Sequence, residues 1–206
     1  GDIYGKAFER DKYGAIVYGR DGLPQEIGSG NTAKVGNCNP AFLLGWGNSF
    51  TYKDFSFYFL IDGHFGGDVL AQTQAVLDQT GVSKVSGEAR TMGYVDLEGH
   101  HIYNIKGFYE RVGGRNGVTE YYMYDATNIR LRELSLGYTL PKRLLGRKQF
   151  VKKAELSFVA RNLFFIYKKA PFDPDAVLSA SNSNQGIDIF GIPTTRSVGF
   201  NVKLSF

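Results

Sequence analysis

Two arginines, Arg130 and Arg132, stand two positions apart in the segment NIRLRELSLGYTL. A guanidinium group is planar and donates several hydrogen bonds in a geometry that matches phosphate. Residues two apart in a strand lie on the same face, so the pair would present two such groups together. The pair therefore predicts a phosphate contact if that face is exposed. A β-bulge would instead swing the two side chains inward, and the sequence leaves both alternatives open.

The other residues with ligating or nucleophilic side chains do not form a recognisable site. Cys38 is the only cysteine and lies in the loop-like segment GNCNP, so it lacks a disulfide partner and the setting of a nucleophile. His100 and His101 are adjacent, which points their side chains apart in an extended segment, and a zinc site needs more ligands than they supply. We therefore predict neither a metal nor a cofactor.

The carboxylates also lack the spacing that catalysis or calcium binding requires. Asp173 and Asp175 stand in PFDPDAV, but Leu178 occupies the place where an EF-hand loop needs glycine. A looser calcium site in this segment stays an alternative. A glycosidase needs two carboxylates that flank a sugar, and no spacing singles out such a pair. We predict that the chain is not an enzyme.

Composition favours strands and turns. Aromatic residues make up 15% of the 206 residues, and glycine occurs 26 times. The net charge of +4 comes without a dense basic patch, so no nucleic-acid partner is predicted. No apolar run approaches the ~18 residues of a membrane-spanning helix, whereas a spanning strand needs only ~9–11 alternating residues.

Apolar and polar residues alternate in several segments, which is the pattern of strands with one apolar face. The last segment, SVGFNVKLSF, places Val198, Phe200, Val202, Leu204 and Phe206 on one face. The predicted strands lie near 41–53, 55–66, 128–140, 154–166 and 196–206.

The connections between these strands alternate in length. Long segments at 67–127 and 167–195 follow the second and fourth strands, and a further long segment occupies 1–40. Only one short amphipathic helix is predicted, within 67–80, where apolar residues repeat at helical spacing. Short turns on one side and long loops on the other are typical of outer-membrane barrels. Alternation alone fits equally a soluble, secreted β-sandwich that binds carbohydrate or another protein.

Four motifs resemble the C-terminal part of SusC/RagA-type TonB-dependent outer-membrane transporters. They occur in the family's order, and the resemblance covers essentially the whole chain from about Tyr4 onward. Asp175 stands where that family usually has glutamate. The segments are GNCNPAFLLGWGNSFTYKDFSF, NIRLRELSLGYTLPKRLL, ARNLFFIYKKAPFDPD and PTTRSVGFNVKLSF.

The resemblance implies an all-β fold in which residues 1–206 supply antiparallel C-terminal strands of a transmembrane barrel of about 22 strands. The long segments 1–40, 67–127 and 167–195 would be extracellular loops. The terminal strand, from Val198 to Phe206, would carry the barrel-assembly signal. Arg130 and Arg132 would face outward near the extracellular end and contact lipopolysaccharide phosphates.

The resemblance also implies a location and a set of partners. The protein would lie in the outer membrane of a Gram-negative bacterium, in contact with its lipid, and import oligosaccharides or peptides. A SusD-like surface lipoprotein would cap it, and the TonB complex would energise it through an N-terminal part that this chain lacks. The chain would then supply wall and loops and would not transport on its own.

Overall fold

A computed structural model describes residues 1–28, 30–145, 150–176 and 185–206. These residues form two compact units, each assembled from separate stretches of the chain. The first unit comprises Gly1–Asn39, Gly67–Ala126 and the described part of Pro174–Ile192; the second comprises Pro40–Gly66, the described part of Thr127–Asp173, and Pro193–Phe206.

Strands dominate the described residues, and the helices are short. The order along the chain is β1 (Asp2–Gly5), β2 (Ala33–Asn37), β3 (Phe42–Tyr52), β4 (Phe55–Phe65), β5 (Asp68–Ala71), α1 (Gln72–Gln79), α2 (Lys84–Met92), β6 (Val95–Leu97), β7 (His100–Ile102), α3 (Ile105–Val112), β8 (Met123–Asp125), β9 (Asn128–Thr139), β10 (Lys153–Lys168), β11 (Ile187–Asp188) and β12 (Ser197–Ser205).

The second unit is built on one five-stranded antiparallel sheet in the order β12-β10-β9-β4-β3. Strands that follow one another within this unit are neighbours in the sheet. Each of the five strands overlaps a segment in which apolar and polar residues alternate. The β3–β4 connection is a tight turn in which Lys53 has a positive φ of 53°. The second unit therefore confirms the predicted antiparallel all-β arrangement.

The two kinds of connection leave the sheet at opposite ends. The turn at Lys53 and the segment between β9 and β10 lie at one end, where Tyr138 pairs with both Phe55 and Leu156. The long connections leave from the other end, where Asn128 pairs with both His64 and Lys168. The sheet therefore has a short-turn end and a long-loop end.

The first unit has small sheets and three short helices around an apolar core. Strands β1 and β2 pair with each other, β11-β5-β8 form a second sheet, and β6 pairs with β7. Phe108 and Val112 of α3 are fully buried, together with Val69 of β5. The predicted loop 1–40 thus contains two strands. No helix in the described part of the chain is long and apolar enough to cross a membrane.

The prediction of one short helix is wrong, because α2 and α3 lie in the segment interpreted as a loop. Ser83 caps α2 by accepting a hydrogen bond from the Ser86 N–H at 3.0 Å, and Gly93 ends the helix with φ 85°. Asn104 caps α3 by accepting from the Gly107 N–H at 3.0 Å. These caps satisfy backbone N–H groups at the start of each helix and so stabilise helices that the spacing of apolar residues does not predict.

Candidate functional site

One face of the five-stranded sheet is apolar from edge to edge. The strand pairing puts Trp46 opposite Ile61, Phe57 opposite Leu136, and Phe158 opposite both Leu136 and Phe200. Exposed large apolar side chains on this face are Phe42, Leu44, Trp46, Phe50, Tyr52, Phe55, Phe57, Leu136, Leu156, Phe164, Val198, Phe200, Val202 and Leu204. An exposed apolar surface of this extent marks a contact with lipid or with another protein surface.

The opposite face of the same sheet is polar. Tyr58 pairs with Ser135, and Ser135 pairs in turn with Val159. The Arg161 side chain on this face donates from Nε to the Glu133 carboxylate at 3.2 Å. The sheet therefore separates an apolar surface from a polar one, which is the arrangement of a wall between lipid and water.

The terminal strand β12 continues both faces. Val198, Phe200, Val202 and Leu204 lie opposite Ala160, Phe158, Leu156 and Ala154 of β10, and the Phe200 side chain is 76% exposed.

Phe206 follows the end of β12, and its ring centroid lies 5.1 Å from that of Phe150. The Lys152 Nζ donates to the Phe206 main-chain oxygen at 3.2 Å. The alternating pattern is thus present in β12, and its role as an assembly signal stays a prediction.

Arg130 lies on the polar face because a register shift interrupts β9. Glu133 pairs with Leu60, but Leu131 pairs with Ile61, so Arg132 is an extra residue between two consecutive residues of β4. The shift lets Leu131 continue the apolar face and places Arg130 opposite Asp62. Arg130 therefore does not share a face with Leu134, since a bulge changes which residues share a face.

The guanidinium of Arg130 is almost completely buried, with the residue 1% exposed. Its Nη2 donates to Asp173 Oδ1 at 2.7 Å, and its Nη1 donates to Thr194 Oγ1 at 2.9 Å. The guanidinium carbon lies 4.1 Å from the centroid of the Phe165 ring. Of the two alternatives for Arg130, this geometry favours the bulge over an outward lipopolysaccharide contact.

Arg132 is partly exposed and contacts two neighbouring strands. Its Nε donates to Asp62 Oδ2 of β4 at 3.1 Å, and its Nη2 donates to the same oxygen. Its Nη1 donates to the Asn162 side chain of β10 at 3.4 Å. A phosphate contact of Arg132 stays a prediction.

Asp173 is engaged by hydrogen bonds at both carboxylate oxygens. Oδ1 accepts from Arg130, and Oδ2 accepts from the main-chain N–H of Thr194 at 3.1 Å and from its hydroxyl. Leu178, on which the calcium argument also depends, lies outside the described residues. Within the described residues, no group of three or more His, Cys, Asp or Glu side chains is placed to hold a metal ion.

The adjacent histidines lie on the β6–β7 hairpin of the first unit and pack against tyrosines. The ring centroids of His100 and Tyr18 are 4.1 Å apart, and those of His101 and Tyr94 are also 4.1 Å apart. The His101 Nε2 lies 3.4 Å from an Asp96 oxygen. These rings are therefore part of aromatic packing.

A buried carboxyl group in the first unit was not predicted from the sequence. Asp78 of α1 is 0% exposed, and neither of its carboxylate oxygens has a hydrogen bond of ordinary geometry to a described residue. Burial raises the pKa of Asp78, and the nearby polar groups of Ser83, Tyr122 and Gln74 offset that rise only in part. The sequence of α1, QTQAVLDQ, gives no sign that its one aspartate is buried.

Beside Asp78, a cavity of about 630 Å³ opens between the ends of α1, α2 and α3. Its lining includes Arg90, Tyr103, Tyr109 and Glu110. Burial raises the pKa of Tyr109 to about 12, so this hydroxyl stays protonated at neutral pH. The cavity mixes aromatic and charged groups without a catalytic arrangement.

Two curated relatives cover most of this chain, although no family model matches it. It is 26% identical over 189 residues to TonB-dependent receptor P3 of Formosa agariphila. This match covers 86% of this chain and 18% of the relative. It is 24% identical over 178 residues to TonB-dependent receptor P39 of the same organism, over 82% of this chain and 17% of the relative. The chain thus spans less than a fifth of the length of these relatives.

Solved structures of the RagAB peptide importer share the fold. In the closed-closed state, a chain matches with a TM-score of 0.66 and 14% identity over 99% of this chain and 23% of its own length. In the open-open state, the TM-score is 0.67 at 15% identity, over 99% of this chain and 22% of that one.

The proteins that this chain resembles are receptors and importers rather than enzymes. The motifs and the curated relatives agree on the same group of proteins, and the RagAB structures share the fold. The chain is thus similar to TonB-dependent receptors over most of its length, and the resemblance that its motifs indicate is confirmed.

Proposed function

We propose that the chain is the C-terminal part of the barrel wall of a TonB-dependent importer in the outer membrane of a Gram-negative bacterium. The apolar face of the five-stranded sheet is the observation that carries this proposal. Its side chains would contact lipid, and the polar face would line the interior of a barrel of about 22 strands. Similarity to TonB-dependent receptors supports the proposal.

The two ends of the sheet would lie on opposite sides of the membrane. The long-loop end would be extracellular, with segments 1–40, 67–127 and 167–195 outside the cell. The short-turn end and Phe206 would face the periplasm, as short turns do in bacterial barrels. The asymmetry of the connections between β4 and β9 and between β9 and β10 supports this orientation.

The cargo of the whole protein would be an oligosaccharide or a peptide. The RagAB structures are of a peptide importer, which supports the peptide alternative through fold alone. A SusD-like surface lipoprotein would cap the barrel, and the TonB complex would act on a part of the protein outside this chain. These partners follow from the family resemblance.

A soluble β-sandwich is less well supported than the membrane wall. A sandwich needs a second sheet that covers the apolar face of the first. In the described part of the second unit, one sheet is present, and many of its large apolar side chains are exposed on that face.

The behaviour of the isolated 206-residue chain in water tests the proposal. At roughly 1.5–3 kcal/mol for each large apolar side chain, leaving this face in water is too costly for a folded monomer. We expect self-association in plain buffer and a folded, β-rich species only in detergent or with the remaining barrel strands. Size-exclusion chromatography with light scattering and circular dichroism, with and without detergent, measures this. A folded monomer in plain buffer would contradict the proposal.

A further inference from the structure

The alternating pattern of β12 fixes which face it presents but specifies its register only weakly. A slip of one residue would turn every apolar side chain to the polar face, so it is strongly disfavoured. A slip of two residues keeps the faces and would place Phe200 opposite Ala160 or Leu156, still apolar against apolar. Lys203 lies opposite Glu155, but the Glu155 carboxylate forms its ion pair with Lys153 of the same strand at 3.3 Å, so this position adds little discrimination.

Two sets of hydrogen bonds hold the residues that lead into β12. In the first, Thr194 lies between two buried charges: its hydroxyl accepts from Arg130 Nη1, and its main-chain N–H donates to Asp173. In the second, Asn162 Nδ2 donates to the Thr195 main-chain oxygen at 3.3 Å. Two consecutive residues are thus held just before β12 begins at Ser197.

The second set originates at a register shift of β10 that lies beside Arg132. Asn162 lies within the register shift of β10 and has a positive φ of 51°, a conformation that asparagine tolerates. It accepts a hydrogen bond from Arg132 Nη1. The β10–β12 pairing begins next to it, where Arg161 lies opposite Ser197. The anchored residues are therefore adjacent to the first rung of the ladder.

Burial makes the first set selective. The side chains of Arg130 and Asp173 are 2% and 8% exposed, and hydrogen bonds between charged groups are strong where water is excluded. A slip of two residues would move Thr194 by roughly 7 Å, since a strand advances about 3.4 Å per residue. That displacement would leave both charges without the hydroxyl and the N–H that they now contact.

We propose that Arg130, Asp173 and Thr194 form a register clamp that selects the pairing of β12 with β10. They are positioning residues, and they act on β12 rather than on any ligand. The clamp supplies the information that the repetitive pattern of Val198, Phe200, Val202 and Leu204 lacks.

Cysteine cross-linking in the full-length protein, in isolated membranes and with Cys38 and any other native cysteine replaced by serine, measures the register directly. Ser157→Cys with Asn201→Cys reports the observed pairing, since directly opposite Cα atoms lie within disulfide reach. Ser157→Cys with Lys203→Cys or with Gly199→Cys reports a slip of two residues. Diagonal neighbours lie about 7–8 Å apart, beyond that reach unless the strand slips.

With the clamp intact, we expect cross-links only in the Ser157/Asn201 pair. Thr194→Val, Asp173→Asn and Arg130→Met should give slipped cross-links at several times the background, at the expense of the Asn201 link. Arg161→Met removes an exposed arginine from the same face and is the matched control, expected to leave the pattern unchanged.

Thr194→Val keeps the shape and both buried charges, so it tests the clamp even if the charge variants lower the yield of folded protein. Cross-links confined to the Asn201 pair in the folded variants would overturn the proposal. Lower yield with an unchanged pattern would assign these residues a merely structural role and would also overturn it. The readout lies within one sheet, so it does not depend on whether the protein imports anything.

Discussion

Arg130 and Arg132, two positions apart, have different surroundings because Arg132 is the extra residue of a bulge in β9, whereas Arg130 pairs with Asp62. The types and spacing of Arg130 and Arg132 were visible in the sequence, as was their match to phosphate. The sequence could predict the bulge beside Arg130 only as one of two alternatives, because the bulge depends on how β9 aligns with β4. Its ion pair with Asp173 joins residues 43 positions apart, which no local pattern encodes.

Asp78 is the residue whose protonation should affect the stability of the first unit. Burial raises its pKa above the ordinary value of 3.8, so the folded state prefers the protonated carboxyl. The stability that this preference contributes is present below the ordinary pKa and is lost as pH rises through the raised value. Hydrogen exchange of the α1 amides, corrected for intrinsic rates, should therefore show less protection at neutral pH than under mildly acidic conditions.

Asp78→Asn replaces the carboxylate with a neutral group of the same shape. It should remove most of this pH dependence and increase protection at neutral pH, because burying a neutral amide costs less than burying a carboxylate. Asp96→Asn, at a side chain 54% exposed, is the control and should change little. Equal pH profiles in the native protein and in Asp78→Asn would contradict the expectation.

The strands of the second unit could largely be predicted from the sequence, whereas the short strands and helices of the first unit could not. A period of two over about ten residues is a strong local signal, and each of the five long strands overlaps such a segment. Helices α2 and α3 have glycine within them, at Gly87 and Gly107, and are only nine and eight residues long. Such short helices owe their stability to packing, which explains why periodicity did not reveal them.

The terminal strand should matter for assembly more than for import. Deleting Phe206 from the full-length protein removes an aromatic ring that continues the apolar side of β12. The machinery that assembles the barrel should then recognise this strand less well. We expect less folded protein in the outer membrane, measured by heat-dependent mobility on gels. Phe150→Ala removes only its ring neighbour and should have a smaller effect. Normal amounts of folded protein with lost uptake would speak against this role.

At the scale of the whole molecule, the two ends of the sheet should be accessible from opposite sides of the membrane. Tyr103 is 73% exposed in the segment proposed to be extracellular, and Leu144 is 65% exposed in the connection proposed to be periplasmic. With Cys38 and any other native cysteine replaced by serine, a membrane-impermeant thiol reagent should label Tyr103→Cys in intact cells and Leu144→Cys only after the outer membrane is opened. Labelling of position 144 but not 103 in intact cells would reverse the orientation.

The positions for this labelling follow from local geometry. Gly114 would be a poor choice, because a Cβ there would lie 2.2 Å from the Gln79 side chain and its φ is +79°. Tyr103 and Leu144 avoid both difficulties.

The connection between β4 and β9 leaves the sheet and returns to it through residues that lie side by side. The Gly66 N–H donates to the Thr127 hydroxyl at 3.0 Å, and within the first unit the Ala126 N–H donates to the Gly67 oxygen at 2.8 Å. A segment with adjacent ends resembles a domain insertion, and the entropy of closing it grows only slowly with its length. Evolution can therefore lengthen, shorten or exchange this segment while the strands that flank it keep their pairing.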